Sequence, residues 1–162
     1  MKIFKDNSGR EWKISITVEA VKRVRSLCGI NLLDVIKIEE KKVTADLLDQ
    51  LATDPVLLVD VIFCICRPQA DELNVSDVEF GESMTGDTVE AATAALMEEL
   101  INFFPEAKKK ILRLILDTGS RIKRQALLTV DKLLASPELE EAISKLENDV
   151  SKPSITSPGS AE

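Results

Sequence analysis

An almost unbroken apolar run between residues 54 and 68, DPVLLVDVIFCICRP, is the feature that most constrains the fold. It holds about a dozen apolar residues and is interrupted by Asp60, whereas a helix that crosses a bilayer needs roughly 20. We therefore expect no membrane span here. Asp54 and Pro55 form a favourable helix start, because aspartate caps the first turn and proline needs no amide donor there. The run predicts a helix at the centre of a protein core.

The three cysteines, Cys28, Cys64 and Cys66, show no disulfide framework and no metal-ligand spacing. On a helix Cys64 and Cys66 point to opposite faces, so they cannot bridge each other or chelate one ion. We interpret these two as small buried apolar side chains. An odd number of cysteines in a short chain also fits a reducing compartment.

The chain contains no histidine and no tyrosine. This removes the commonest general base at neutral pH, the commonest metal ligand, and every Ser-His or Cys-His catalytic arrangement. The glycines stand singly and begin neither a phosphate-binding loop nor a dinucleotide-binding motif. No residues have the spacing of a zinc site. We therefore expect a non-enzymatic protein with no catalytic residues, no cofactor and no metal.

Charge is unevenly distributed along the chain, which has a net charge of −7. Residues 30–104 carry sixteen acidic and four basic residues, whereas residues 105–132 carry eight basic and three acidic residues. The negative total argues against nucleic acid or an anionic membrane as a general partner. The basic segment 105–124 is the one candidate nucleic-acid surface, but it offers no aromatic platform. The alternative that we favour is that it complements an acidic partner or the chain's own acidic region, within one domain or across a self-association contact that would make a homo-oligomer.

The remaining sequence predicts a β-hairpin followed by helices. Residues 2–16 alternate apolar and polar positions around Asn7-Ser8-Gly9, a short loop in which glycine allows a positive φ. From Thr17 onward the apolar residues recur at helical spacing. Helical segments are predicted over 17–28, 45–52, 55–67 with a continuation past Pro68 to Leu73, 77–84, 88–104, 105–135 and 137–149.

Segment 105–135 predicts either two helices or one helix bent at Gly119. Its apolar positions form a stripe that we expect to be buried, namely Leu112, Ile115, Ile122, Ala126 and Leu133.

The predicted fold class is mainly α with a small N-terminal β-hairpin (α+β), a compact helical domain of about six to eight helices. We expect one globular domain over residues 1–149. The alternative is that 117–149 form a separate helical extension. Residues 150–162, VSKPSITSPGSAE, are rich in serine and proline. They predict a disordered tail.

Four stretches, in this order and spacing, give the sequence a family resemblance. They are FKDNSGREWKISITVEAVKRVRSLCGINLLD, DPVLLVDVIFCICRPQA, VSDVEFGESMTGDTVEAATAALMEEL, and INFFP with the basic helix after it. Together they resemble the tail assembly chaperones of long-tailed bacteriophages and prophages. The likeness covers residues 4 to about 116 and fades beyond 117. None of the stretches is a catalytic signature.

The resemblance implies a small soluble helical protein in the cytoplasm of an infected or lysogenic bacterium. Such proteins coat the long, aggregation-prone tape measure protein of the phage tail. They also help to recruit subunits of the tail tube, so the major tail subunit is a further expected partner. They do not enter the finished virion. In many relatives a ribosomal frameshift makes a second, longer product, and this sequence has no obvious second domain.

Aromatic, methionine and basic side chains near the helix ends are the candidate protein-binding residues: Phe80, Met84, Phe103, Phe104, Lys108, Lys109 and Arg113. The alternative for the four apolar residues is that they lie in the protein core and do not contact a partner. If Phe80 and Met84 bind a partner, replacing them with serine leaves the fold intact, and unfolding would show that they belong to the core. The alternative function is a bacterial helical adaptor or regulatory module that uses the basic helix 105–124 to bind an acidic protein or nucleic acid.

Overall fold

Two units make up the chain, Met1–Leu114 and Ile115–Glu162. A computed structural model describes residues 1–39, 42–137, 141 and 144–145. Within these residues the protein has six helices and an N-terminal antiparallel hairpin, which confirms the predicted α+β class. Most of the predicted helix 137–149 and the whole predicted tail 150–162 lie outside the described residues.

The predicted N-terminal hairpin is present and pairs β1 (Lys2–Lys5) antiparallel with β2 (Glu11–Ile14), with Phe4 opposite Trp12. Gly9 in the connecting loop has a φ of 80°, which glycine adopts without a steric penalty. Phe4, Trp12 and Ile14 are buried. A two-stranded ribbon is marginal alone in water, and its apolar face is enclosed by the helices of the first unit.

A second hairpin was not predicted. After a 3₁₀ turn at Leu32–Val35, β3 (Lys37–Glu39) pairs antiparallel with β4 (Lys42–Thr44). Charged residues dominate this segment, and the side chains of β3 and β4 are mostly exposed. A sequence pattern detects strands through alternating burial, so a short exposed ribbon with little buried surface leaves no such signal.

Side-chain caps mark where three of the six helices in the described part of the chain begin, namely α1, α3 and α4 as numbered below. Thr17 accepts a hydrogen bond from the Ala20 amide at the start of α1, and Gly29 ends that helix in the left-handed conformation. Ser76 and Glu79 form a reciprocal capping box at the start of the short fourth helix. The helices are α1 (Val18–Cys28), α2 (Asp46–Thr53), α3 (Pro55–Leu73), α4 (Asp77–Glu82), α5 (Asp87–Phe103) and α6 (Glu106–Leu134).

The central core helix of the first unit is α3, which is the apolar run of the sequence. Asp54 caps it by accepting hydrogen bonds from the amides of Val56 and Leu57. Helices α1, α2 and α5 and strand β2 all contact it. Its buried side chains are Leu58, Val61, Ile62, Phe63, Cys64, Ile65, Cys66 and Ala70. The prediction that this run forms a buried core helix is confirmed.

Helix α3 continues through Pro68 because a side chain from another helix compensates for the missing backbone donor. Proline has no N–H, so the carbonyl of Cys64, four residues earlier, loses its usual partner. Nη1 of Arg23 in α1 lies 3.0 Å from the carbonyl oxygen of Cys64 and 3.0 Å from that of Ile65, and donates to both. The guanidinium therefore replaces a hydrogen bond that the helix cannot make itself.

We expect Arg23→Met to lower the free energy of unfolding by about 1–3 kcal/mol, because a charged donor to two carbonyls would be lost. Lys22→Met, an exposed neighbour on the same helix, is the matched control and should change stability by less than about 0.5 kcal/mol. Chemical denaturation measures both. In a double-mutant cycle, Pro68→Ala should reduce the cost of Arg23→Met, since it restores the backbone donor. A cost that is unchanged by Pro68→Ala would contradict this account.

Candidate protein-binding surface

The core of the first unit contains two of the candidate binding residues, Phe80 and Met84. Phe80 is fully buried, and Met84 is nearly so. The ring of Phe80 meets that of Trp12 edge to face at a centroid distance of 4.8 Å and that of Phe63 at 5.3 Å. Such aromatic contacts stabilise a core. A partner could reach these two side chains only if the core opened.

The other candidates lie around the break between α5 and α6. Phe104 is buried, and Phe103 is half-buried. Their ring centroids lie 5.6 Å apart. Lys108 places its Nζ 5.3 Å from the Phe104 ring centroid, within the range of a cation–π interaction. Lys109 Nζ lies 3.9 Å from a carboxylate oxygen of Glu106.

Arg113 is exposed, whereas both lysines are half-buried. The structure thus brings Phe103, Phe104 and Lys108 into contact where α5 ends and α6 begins. Arg113 does not join them and is exposed to solvent. The assignment of these residues to a binding surface stays a prediction.

An exposed apolar stripe lies on α6, in the part of the second unit that the structure describes. Within residues 115–134, six exposed apolar side chains fall within an arc of about 140°, given a turn of about 100° per residue. We call them the α6 stripe: Ile122, Ala126, Leu127, Val130, Leu133 and Leu134. Every one of them is exposed, with Ile122 at 65% and Leu133 at 60%.

The exposure of the α6 stripe corrects the sequence interpretation. We expected a buried stripe through Leu112, Ile115, Ile122, Ala126 and Leu133, but only Leu112 is buried, and Ile115 is partly covered. The helix also runs unbroken past Gly119, which settles the alternative of two helices. Helical periodicity indicates that a helix has an apolar face and cannot say what covers it.

Charge around the α6 stripe is mainly basic. Residues 115–134 carry four basic and two acidic side chains. Lys123 falls within the arc of the stripe itself, and Arg121 and Arg124 lie on the other side of the helix. Leu128 is also exposed, at 56%, but it lies more than 100° from both Ile122 and Leu133. An amphipathic helix with acidic flanks would complement this surface.

Asp6 forms a buried polar centre that the sequence did not reveal. Its Oδ2 accepts hydrogen bonds from Arg10 Nε at 2.7 Å, Trp12 Nε1 at 2.9 Å and Ser83 Oγ at 3.3 Å. Its Oδ1 accepts from the amides of Ser8 and Arg10, each at 2.9 Å. The carboxylate therefore ties the hairpin loop to the end of α4.

Burial alone would raise the pKa of Asp6. The hydrogen bonds from Trp12 and Arg10, together with the positive charge of Arg10, outweigh that effect and hold the pKa below its ordinary value of 3.8. A carboxylate that accepts five hydrogen bonds, and that Trp12 and Arg10 hold in its charged form, suits a structural anchor and not a general base.

A shallow pocket of about 250 Å³ opens beside this centre, lined by Asn7, Ser8, Arg10, Glu79, Glu82 and Ser83. Two of its three charged side chains already serve the fold, since Arg10 pairs with Asp6 and Glu79 completes the capping box. The pocket therefore offers a ligand little unused binding capacity.

Two of the three cysteines, Cys28 and Cys64, lie side by side. The Sγ atoms of Cys28 and Cys64 are 2.9 Å apart, across the contact between α1 and α3. Their sequence separation of 36 residues hides this pairing from any local pattern. Cys66 points elsewhere, with its Sγ 3.8 Å from the carbonyl oxygen of Lys13.

Two further properties bear on the kind of site that the protein can have. Among the described residues, no three His, Cys, Asp or Glu side chains are grouped closely enough to hold a metal ion. In the same part of the chain, no helix combines the length and the apolar character needed to cross a membrane. The sequence matches no protein-family model and no curated protein, and the structure matches no solved structure.

Proposed function

We propose that this protein is a non-enzymatic tail assembly chaperone of a phage or prophage, which binds the tape measure protein in the bacterial cytoplasm and stays out of the finished virion. The observation that carries the proposal is the exposed α6 stripe. It supports a binding role because large apolar side chains grouped on one helix face mark a site for another protein. The order of sequence stretches that resembles the tail assembly chaperones supports the choice of partner.

The α6 stripe suits a helical partner such as a segment of a tape measure protein. An amphipathic helix presents apolar residues three or four positions apart, and these pack against a matching stripe. Burying one leucine or isoleucine side chain contributes about 1.5–3 kcal/mol. Several such side chains together are enough to offset the cost of association, so a moderate affinity is expected.

The net negative charge fits the same role. A protein that covers aggregation-prone chains has to keep the complex in solution, and a net charge far from zero does this. The charge of this chain is −7. The basic surplus around the α6 stripe is local and favours partner helices with acidic residues beside their apolar seam.

Co-expression tests the proposed function directly. The tape measure protein from the same tail gene cluster should be insoluble alone and should become soluble, in a complex with this protein, when both are produced together. Binding of the major tail subunit to that complex would support its place as a second partner. A tape measure protein that stays insoluble whether or not this protein is present would refute the chaperone proposal.

Substitutions in the α6 stripe should separate binding from folding. We expect the double variant Ile122→Ser and Leu133→Ser to weaken binding of the tape measure protein by at least about tenfold, because two apolar anchors are lost. Its unfolding curve should stay close to that of the parent, since both side chains are exposed. Pull-down or calorimetric titration of the purified pair measures the affinity.

Leu128→Ser is the matched control for the stripe variants. It removes an equally exposed leucine from the same helix but from another face. Its binding should equal that of the parent. If Leu128→Ser weakens binding as much as the stripe variant, the binding depends on exposed apolar residues anywhere on the helix and not on the α6 stripe.

The alternative function is an adaptor that binds nucleic acid or an acidic protein. The exposed basic side chains of α6 support it, and it can be tested separately. Lys110, Arg113, Arg121 and Arg124 are exposed. Binding of duplex DNA that weakens steeply with added salt would favour this function, because phosphate contacts release counterions. Absence of such binding, with solubilisation of the tape measure protein, would favour the chaperone.

A further inference from the structure

Two thiols from different helices meet in the first unit. Cys28 is the last residue of α1, and Cys64 lies within α3. Their sulfur atoms are 2.9 Å apart. A disulfide bond joins sulfurs at about 2.0 Å, so a movement of about one ångström would complete the bond. Both are reduced thiols in the structure.

The three cysteines differ in access to solvent and in their neighbours. Cys28 is half-buried, whereas Cys64 and Cys66 are buried. A small reagent can therefore reach Cys28 first, with Cys64 directly behind it. Cys66 lies against the carbonyl of Lys13 and not against another sulfur. The arrangement has a half-buried thiol, a buried second thiol in contact with it, and a third cysteine that serves as an internal control.

We propose that Cys28 and Cys64 form a redox-sensitive modification site, at which a small disulfide of the glutathione class converts the two thiols into an intramolecular disulfide that joins α1 to α3. This inference concerns the folded chain alone and does not depend on the proposed chaperone function.

Two exchange steps complete the oxidation. The Cys28 thiolate attacks one sulfur of oxidised glutathione, which forms a mixed disulfide and releases one glutathione thiolate. The Cys64 thiolate then attacks the Cys28 sulfur of that mixed disulfide, and the second glutathione thiolate leaves. The two protein thiols give up two protons and two electrons, and the oxidant becomes two molecules of reduced glutathione.

The surroundings of Cys28 make the first step slow at neutral pH. Burial, the hydrogen bond with Cys64 and the negative charges of Cys64, Asp60 and Asp77 raise the pKa of Cys28 to about 12. Only the thiolate is nucleophilic. The oxidation rate should therefore rise about tenfold per pH unit between about pH 7 and pH 9. An ordinary exposed thiol would level off near its own pKa of about 8.5.

Mass spectrometry of the full-length protein tests the site. After incubation with oxidised glutathione, the protein should lose two hydrogen atoms, and a digest should contain a Cys28–Cys64 linked peptide that dithiothreitol separates. Cys66→Ser should behave like the parent, whereas Cys28→Ser and Cys64→Ser should not form the link. The main readout uses the unsubstituted protein, so it does not depend on the folding of any variant.

Three outcomes would overturn the proposal. One is a glutathione adduct on Cys28 that persists, because Cys64 then fails to complete the second step. Another is that Cys28 and Cys64 of the native protein both remain reduced, as shown by alkylation after denaturation, under conditions that oxidise the denatured chain. The third is a melting temperature that falls on oxidation. A disulfide across the existing contact should instead raise it by roughly 5–10 °C, since it constrains the unfolded chain.

Discussion

Replacing Asp6 with alanine is expected to lower the free energy of unfolding by about 3–5 kcal/mol, a large share of the stability of a domain of this size. The side chain of Asp6 has no exposed surface, and its carboxylate accepts five hydrogen bonds. Its removal would leave the indole N–H of Trp12 and the guanidinium of Arg10 without their acceptor. Chemical denaturation followed by circular dichroism measures the loss.

Asp71→Ala is the control for the Asp6 variant. Asp71 is exposed and pairs with Arg67 at 2.9 Å on the surface of α3. Exposed ion pairs contribute about 0–1 kcal/mol, so this variant should remain close to the parent. If the two aspartate variants were equally stable, the hydrogen bonds of Asp6 would contribute no more than a surface pair, and its role as an anchor would be refuted.

The lowered pKa of Asp6 also predicts how stability depends on pH. Because the folded state holds this carboxylate charged more strongly than the unfolded state does, its contribution is complete above the ordinary pKa of 3.8. It is lost as the pH falls through the lower pKa of the folded state. Asp6→Asn, which cannot titrate, should therefore be less stable than the parent at pH 7, and the difference should shrink below about pH 4. A constant difference across that window would contradict the assignment.

Replacing Phe80 with alanine is expected to cost about 3–5 kcal/mol, the usual loss for removing a fully buried phenylalanine. Phe80 has no exposed surface and contacts the rings of Trp12 and Phe63. The change would leave a cavity between the hairpin, α3 and α4. Val78→Ala, in the same short helix but 68% exposed, is the control and should cost less than about 0.5 kcal/mol.

The Phe80 prediction also decides between the two interpretations of this residue. A binding residue could be replaced with the fold intact, and the loss would appear only in the affinity for the tape measure protein. Removal of a core residue instead lowers the free energy of unfolding itself. A loss of less than about 1 kcal/mol on Phe80→Ala would show that the burial in the structure contributes little to stability.

Local patterns in the sequence predicted most elements of the fold. The hairpin followed from a loop glycine between two alternating segments, and α3 followed from the Asp54-Pro55 start and the apolar run after it. Both signals lie within a few residues of the structure that they specify, so no distant contact is needed to interpret them.

Features that depend on distant contacts could not be predicted. The hydrogen bonds from Arg23 that carry α3 through Pro68, the contact of Cys28 with Cys64, and the partners of Asp6 each join segments that are far apart in the chain or specific to its tertiary packing. The candidate site shows the same limit. Phe80 and Met84 were named for their chemistry, and their burial was decided by what packs around them.

A comparison of α5 with α6 separates what the local sequence specifies from what depends on tertiary packing. The sequence alone determined that α5 and α6 are amphipathic helices, because 3.6 residues per turn place every third or fourth side chain on one face. Only the tertiary structure decided that Ala92, Leu96 and Leu100 of α5 are buried while Ile122 and Leu133 of α6 are exposed. Periodicity is a local property, whereas burial requires another surface, and the position of that surface is set by the whole fold.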